Sequence, residues 1–386
     1  MNMQGQTILV LNSGSSSLKF GLFDADGNAE EAYDGTLFLE GSAEGIGRPD
    51  GSLQIRSPDG AVQLRRTHVM ESQTDALHAL AVVLAELGHA HPTAVGHRVV
   101  HGGPHLRTHQ RLTPRVRQQL QDAVHFAPLH IPPALALIDQ AAKIFDGAQA
   151  FVCFDTAFHR TLPPHTSHFA LPRRYVDAGV IRYGFHGLSY ESLVHRLGDR
   201  LPRRAVFAHL GNGSSVCALL DGRSIDTSMG LTPTGGMPMG TRSGDLDPGV
   251  VLYLMRTEQL DAQQLENLLN HDSGLAGLAG GESDMQALLG RSVAGDRDAA
   301  LAVDVFATAV RKYIGAYAAL LGGIDLLVFT GGIGEHSTEI RNRICAGLGF
   351  LGLSADDSSG KVKTMHTEEE RQIARHCHAL LHDTRD

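Results

Sequence analysis

The chain has 386 residues, with 33 Lys plus Arg against 42 Asp plus Glu and a formal net charge of −9. At roughly 150 residues per domain this length suggests two or three domains, and 42% apolar residues are enough to fill their cores. A net acidic chain with no basic block is a poor candidate for gripping nucleic acid or an anionic membrane, and without an apolar run of about 18 residues no spanning helix is expected.

The opening Met1-Asn2-Met3-Gln4-Gly5-Gln6 has no charged n-region or apolar h-region, so no secretory signal is expected. Residues 7–11 are apolar and lead into the polar loop Asn12-Ser13-Gly14-Ser15-Ser16-Ser17. Residues 18–23 read as a return strand stopped by Asp24-Ala25-Asp26-Gly27, a strand, small-residue loop and strand. Residues 40–62, rich in Gly, Ser and Asp, read as hairpin and loop. Helical spacing over residues 74–87 ends at Gly88. His101, His105 and His109 are four apart, but Gly102-Gly103-Pro104 breaks any helix that would stack them, and no metal site is expected there. Pro132-Pro133 opens a helix to about residue 145, and the apolar run before Asp155 reads as a strand.

The first hairpin then recurs. Residues 205–210 are apolar, Gly211-Asn212-Gly213-Ser214-Ser215 is the loop, and residues 216–220 return to Asp221-Gly222. Gly14-Ser15-Ser16 and Gly213-Ser214-Ser215 lie 199 residues apart, which predicts an ancient duplication giving two similar α/β halves with facing loops. Residues 296–321 form the longest helix, closed by Gly322-Gly323. Residues 326–330 form a buried strand feeding Gly331-Gly332-Ile333-Gly334-Glu335, and residues 367–381 form a charged carboxy-terminal helix. Strands alternating with helices indicate α/β architecture, and with no low-complexity linker a cleft between packed domains is expected. The cysteines, Cys153, Cys217, Cys345 and Cys377, form no C-x-x-C pair and are expected to be reduced, mostly buried thiols of a cytoplasmic protein.

Glycine is abundant, 44 residues, and clusters between apolar runs. Three small-residue loops, at 12–17, 211–215 and 331–335, are suited to presenting backbone N–H groups to phosphate oxygens. Lys19 stands just beyond the first. No G-x-x-x-x-G-K-[ST] is present, so this is not a P-loop chain; ordinary hairpin turns are the alternative reading. Arg98, in Gly96-His97-Arg98-Val99-Val100-His101-Gly102-Gly103, and Arg242, in Gly240-Thr241-Arg242-Ser243-Gly244-Asp245-Leu246-Asp247-Pro248, sit beside glycines and suit bidentate contact with carboxylate or phosphate; ion pairs are the alternative. Asp155 ends a strand, where α/β folds collect ligands; a helix N-cap is the alternative. His186, in Tyr183-Gly184-Phe185-His186-Gly187, is placed to donate to developing phosphoryl charge or to make a structural hydrogen bond. His130 is a weaker candidate of the same type.

These phrases, with Phe154-Asp155-Thr156-Ala157-Phe158-His159, resemble the acetate kinase (acetokinase) family of the acetate and sugar kinase/actin-like superfamily, over nearly the whole chain. The resemblance implies a duplicated actin-like, ribonuclease H-like ATPase fold, with one domain at 1–155 plus 370–386 and a nucleotide-binding domain at 156–369. It implies reversible phosphorylation of acetate by ATP, Mg²⁺ with Mn²⁺ as an alternative, ADP and acetyl phosphate as products, and a homodimer. Carried over by position, Asn12 and Glu369 associate with the metal, Lys19 contacts ATP and Arg98 binds substrate. Asp155 is the catalytic aspartate, and His186 and Arg242 stabilise the transition state. Val100, Leu129, Phe185 and Pro233 form the pocket for the methyl group, with His130 beside them. His209, Leu210, Gly211, Asn212, Gly213 and Gly331, Gly332, Ile333, Gly334, Glu335 form nucleotide loops, and Asp284, Met285 and Gln286 the adenosine site.

Two departures stand out. Where the family has Ser-Asp-aromatic-Arg, this chain has Ser283-Asp284-Met285-Gln286, which removes a planar cation able to lie along a base. Glu368 replaces the usual Asn before the Glu pair, leaving three adjacent glutamates. A kinase for propionate or butyrate, and a nucleotide switch or filament protein on the same fold, are the rival readings.

Overall fold

The structure, a computed structural model, describes residues 6–14, 16–26, 33–356 and 358–383. Met1 to Gly5, Ser15 of the first loop and Gly27 of the first turn lie outside the described residues. The chain divides into two compact units, Met1–Ala157 with Glu368–Asp386, and Phe158–Thr367.

The first unit carries strands β1 (Thr7–Ser13), β2 (Ser17–Asp24), β3 (Leu37–Glu44), β4 (Ser52–Arg56), β5 (Val62–Thr67), β6 (Ala94–Val99), β7 (Gln110–Arg111) and β8 (Gln149–Phe154), in the sheet order β5-β4-β3-β2-β1-β6-β8-β7. β1, β6 and β8 are parallel neighbours. Helices on both faces leave them no wet side, which is why they are apolar runs rather than alternating ones. Leu9 and Leu11 pack with Leu77, Leu80 and Leu84 of helix Gln73–Glu86 and Leu137 of helix Ile131–Ile144. The first of these helices starts at a capping box, Ser72 with Asp75, a cap that contributes about 1 kcal/mol. Against the opposite face lies helix Glu369–Leu381, so close to β6 that a Cβ on Gly96 would meet Cys377 Sγ at 2.5 Å and Ile373 Cγ2 at 2.8 Å.

The second unit carries β9 (Arg204–Leu210), β10 (Ser214–Leu220), β11 (Arg223–Thr227), β12 (Leu326–Thr330) and β13 (Val362–Thr364), in the order β11-β10-β9-β12-β13. Helix Arg297–Leu321, started by the Asp296 side chain and stopped at left-handed Gly322, covers one face through Phe306, Val310 and Ile314. Helix Gly187–Leu197 covers the other through Tyr190, Leu193 and Leu197.

The duplication is visible in the pairing. β3-β2-β1-β6-β8 and β11-β10-β9-β12-β13 share one pattern: two antiparallel pairs, then two parallel pairs. Details depart from the sequence expectation. Ser214 and Ser215 belong to strand β10 rather than its loop, and Gly331–His336 is a short helix rather than a loop. All four cysteines are buried and outside any disulfide. No helix among the described residues is long and apolar enough to cross a membrane.

Candidate active site

Parallel pairing of β1, β6 and β8 brings three sequence-distant side chains to one edge of the first sheet. Asn12 lies near the end of β1, Arg98 near the end of β6, and Asp155 follows β8 directly. Arg98 Nε donates to Asp155 Oδ1 at 3.0 Å and Nη2 to Oδ2 at 2.5 Å. Arg98 Nη1 donates to Asn12 Oδ1 at 3.1 Å. Asn12 Nδ2 in turn donates to Glu369 Oε2 at 3.1 Å and Glu370 Oε1 at 2.8 Å. Both glutamates open the carboxy-terminal helix, whose N-terminus favours negative charge. Lys19, directly opposite Asn12 in the β1–β2 register, is exposed.

The charges do not balance. Asp155 is 1% exposed, and burial pushes its carboxyl up; Arg98 pulls it back, and Glu369 adds to the rise. Burial and the charge of Glu369 likewise hold Glu370 above the usual carboxylate range, opposed by Lys19 and Asn12. Burial alone would lower the Arg98 guanidinium, yet Asp155, Glu369 and Glu370 together hold it above its ordinary value. Three carboxylates and an amide oxygen around one arginine form a hard-oxygen donor set with surplus negative charge, which suits a small divalent cation. The Asp155 carboxylate is engaged by Arg98 through both oxygens.

The second unit presents His186 and Arg242. His186 occupies the N-cap of helix Gly187–Leu197 in the left-handed region, φ 58°, which non-glycine residues seldom adopt. Its Nδ1 lies 2.9 Å from Ser215 Oγ, and its ring stacks on His209 at 4.2 Å between centroids. Arg242 Nη1 donates to Pro233 O at 3.2 Å. The Arg242 loop is held by backbone contact: Gly274, at φ +64°, sits where a Cβ would come within 2.2 Å of Met239 O and 2.6 Å of Arg242 O. A Cβ on Gly213 would lie 3.4 Å from His186 Nε2 and 3.6 Å from Arg242 Nη1. Both side chains therefore converge on the backbone of the 211–213 turn. Asn212 on that turn is exposed.

Glu335 Oε1 accepts from the Gly331 N–H at 3.0 Å, bracing the short helix that begins at Gly331. Gly332 is exposed, and Ile333 and Glu335 are half-buried. Gly334 is buried, 3.6 Å from Leu210 Cβ at the point a side chain would start. Asp284 caps helix Met285–Val293 through the Ala287 N–H at 2.8 Å, and Gln286 is exposed on its first turn. Leu210 and Met285 turn inward, 0% and 4% exposed, and their side chains pack the core. Val100 is half-buried just past β6, Leu129 is 39% exposed, and His130 takes the N-cap of helix Ile131–Ile144. Those three belong to the first unit; Phe185, 1% exposed, and Pro233, buried, belong to the second.

A profile of the acetokinase family matches residues 7–376. The chain belongs to the acetokinase family. The acetate kinase of Methylocella silvestris is 42% identical over 97% of this chain and 98% of its own, and that of Bacteroides fragilis is 39% identical over 97% and 99%. Among solved structures, Porphyromonas gingivalis acetate kinase superposes with a TM-score of 0.83 at 34% identity, covering 97% of this chain and all of that one. A Francisella tularensis propionate kinase superposes with a TM-score of 0.87 at 32% identity, covering 96% and 98%. The two matching sheets are therefore those of the duplicated actin-like ATPase fold that this kinase family uses.

Two residues beside the candidate side chains, one in each unit, were not anticipated. Glu370 approaches Asn12 more closely than Glu369 does, and only helix phase separates it from its neighbours in the Glu368-Glu369-Glu370 run. Ser215 reads as a loop serine in the sequence, yet as a strand residue it points at His186.

Proposed function

We propose that this chain catalyses reversible transfer of the ATP γ-phosphoryl group to acetate, giving acetyl phosphate and ADP by direct in-line displacement. The observation that carries the reading is the Arg98–Asp155 pair joined through Asn12 to Glu369 and Glu370, in a chain of the acetokinase family. An acetate oxygen is already a nucleophile, so no base is needed, and Asp155 serves by orienting Arg98. Arg98 binds the acceptor carboxylate, and Arg242 and His186 stabilise charge on the transferring phosphoryl. Phosphoryl transfer asks chiefly for such positioning and charge neutralisation. Asn12, Glu369 and Glu370 would hold a divalent ion, Mg²⁺ or Mn²⁺, which when bound neutralises phosphate charge. Lys19, the 211–213 turn and the 331–335 segment serve the nucleotide.

Propionate is the second reading, favoured by the likeness to the Francisella propionate kinase. One methylene changes binding by only about 1–3 kcal/mol. The test is acyl-phosphate formation trapped as hydroxamate, with ATP, Mg²⁺ and acetate, propionate or butyrate. Turnover highest on acetate supports the proposal; a longer preferred acid moves the substrate and keeps the chemistry. No product with any acid overturns it.

A further inference from the structure

His186 belongs to a buried polar chain. Its Nδ1 lies 2.9 Å from Ser215 Oγ, which lies 2.5 Å from the Tyr190 hydroxyl. Ser215 and Tyr190 are both 0% exposed, so water does not substitute for either partner. Tyr190 rides one turn after His186 on the same helix, its N–H donating to His186 O at 3.0 Å.

We propose that Tyr190 and Ser215 are positioning residues that lock His186 in one tautomer, with its proton on Nε2, so that the neutral ring donates a hydrogen bond to a phosphoryl oxygen. The direction of the chain is assigned from the placement of the two ring nitrogens. Nδ1 is the nitrogen within reach of the Ser215 hydroxyl, and burial keeps the Tyr190 phenol protonated. With the Tyr190 hydroxyl donating to Ser215 Oγ and the Ser215 hydroxyl donating to His186 Nδ1, that nitrogen is an acceptor and Nε2 carries the N–H. Nε2 is the atom nearest the 211–213 turn, 3.4 Å from where a Gly213 Cβ would stand.

The groups facing His186 give a neutral donor its value. His209 lies across the stack, its Nδ1 2.8 Å from Ser189 Oγ; Tyr190 stands behind Ser215; Arg242 lies beyond Gly213. An imidazolium here would stand between a second imidazole and an arginine, whereas a neutral ring with a fixed N–H needs no proton from solvent. The fixed orientation matters as much as the charge, because a donor helps only when aimed where transition-state charge develops.

The catalytic role rests on the phosphoryl-transfer reading above, whereas the tautomer does not. The experiment is nitrogen NMR of the full chain labelled at histidine, at pH 8, with His186 identified by the signal lost in His186→Gln. The expected result is a protonated Nε2 and an unprotonated, hydrogen-bonded Nδ1. A protonated Nδ1 overturns the proposal whatever the variants do. In Ser215→Ala and Tyr190→Phe the Nδ1 signal should shift. Their kcat should fall about ten-fold, as when outer partners of a working histidine are lost, with KM for ATP nearly unchanged. Variants that keep both the wild-type Nδ1 signal and the wild-type kcat also overturn it. An Nε2-protonated ring in a protein that turns over no acid keeps the lock and overturns its role in transfer.

Discussion

Arg98 grips both oxygens of Asp155, with Nε 3.0 Å from Oδ1 and Nη2 2.5 Å from Oδ2. The carboxylate is 2% exposed as a side chain and the guanidinium 17%. Arg98→Ala would strand a buried carboxylate, which costs roughly 3–5 kcal/mol. The expected outcome is a thermal midpoint lower by roughly 10 °C together with loss of acid-dependent turnover. Arg98→Lys should restore little of either, since an ammonium cannot span two oxygens. Scanning calorimetry beside the hydroxamate assay checks both; an unshifted midpoint in Arg98→Ala would refute the energetic role of the pair.

Arg242 is carried on a loop pinned by Gly274 and the Pro233 carbonyl. If it stabilises transferring charge, Arg242→Ala should cost about 2.7–4 kcal/mol of barrier, or roughly 10²–10³ in kcat. Steady-state kinetics decide. Near-normal kcat with a raised KM would reduce Arg242 to a ground-state contact.

Glu370 repels Glu369 across Asn12 and is half-buried, with its carboxyl held above the usual range by burial and by Glu369. Glu370→Gln should therefore raise the melting temperature of metal-free protein at pH 7 while weakening the stabilisation that Mg²⁺ confers by mass action. Melting curves with and without MgCl₂ give both values. A variant as strongly stabilised by Mg²⁺ as the wild type would remove Glu370 from the cation site.

His97, next to Arg98 on β6, is 2% exposed, and its Nδ1 has no hydrogen-bond partner among the described residues. Burial pushes it down to about 4 from 6.5. The unfolded chain takes up a proton as pH falls below about 6.5, whereas the folded chain does so only near 4. Stability is thus full above the first value and lost across that window, by ~3 kcal/mol. Asp155 and Glu370, shifted upward, act in the opposite sense. The His97 share is therefore the difference between wild type and His97→Leu in urea midpoints from pH 7 to pH 4. Parallel pH profiles for the two proteins would count against it.

Gln286 is exposed where the family pattern has arginine. Gln286→Arg should lower KM for ATP about two- to five-fold, the worth of an exposed cation over a ring, about 0.5–1 kcal/mol. Titrating ATP and GTP in parallel checks it, and no change with either nucleotide would remove this position from base recognition.

Much of the fold was legible because its signals are local. The apolar runs at 7–11, 205–210 and 326–330 became β1, β9 and β12, and the helix expected over 296–321 became Arg297–Leu321. The hairpin repeat pointed to the duplication that the two sheets share. Side-chain direction was not legible. Leu210 and Met285 lie inside the phrases expected to serve the nucleotide, and their side chains face inward, since alternation along a strand and phase around a helix turn every motif partly toward the core. Ser215 was read as loop because Gly-Asn-Gly-Ser-Ser looks uniformly turn-like, yet β pairing resumes at Ser214, opposite Leu210, and Ser215 stands opposite His209.

The sequence alone determined the α/β class, the repeat and the residue types at the site, because periodicity and small-residue loops are written in neighbouring positions. The tertiary structure decided which of those residues act together. Parallel pairing of β1, β6 and β8 carried Asn12, Arg98 and Asp155 to one sheet edge, and the carboxy-terminal helix brought Glu369 and Glu370 back across most of the chain length to meet them. Those contacts, like the choice of Ser215 as the partner of His186, depend on strand register and helix phase in three dimensions, and no local pattern encodes either.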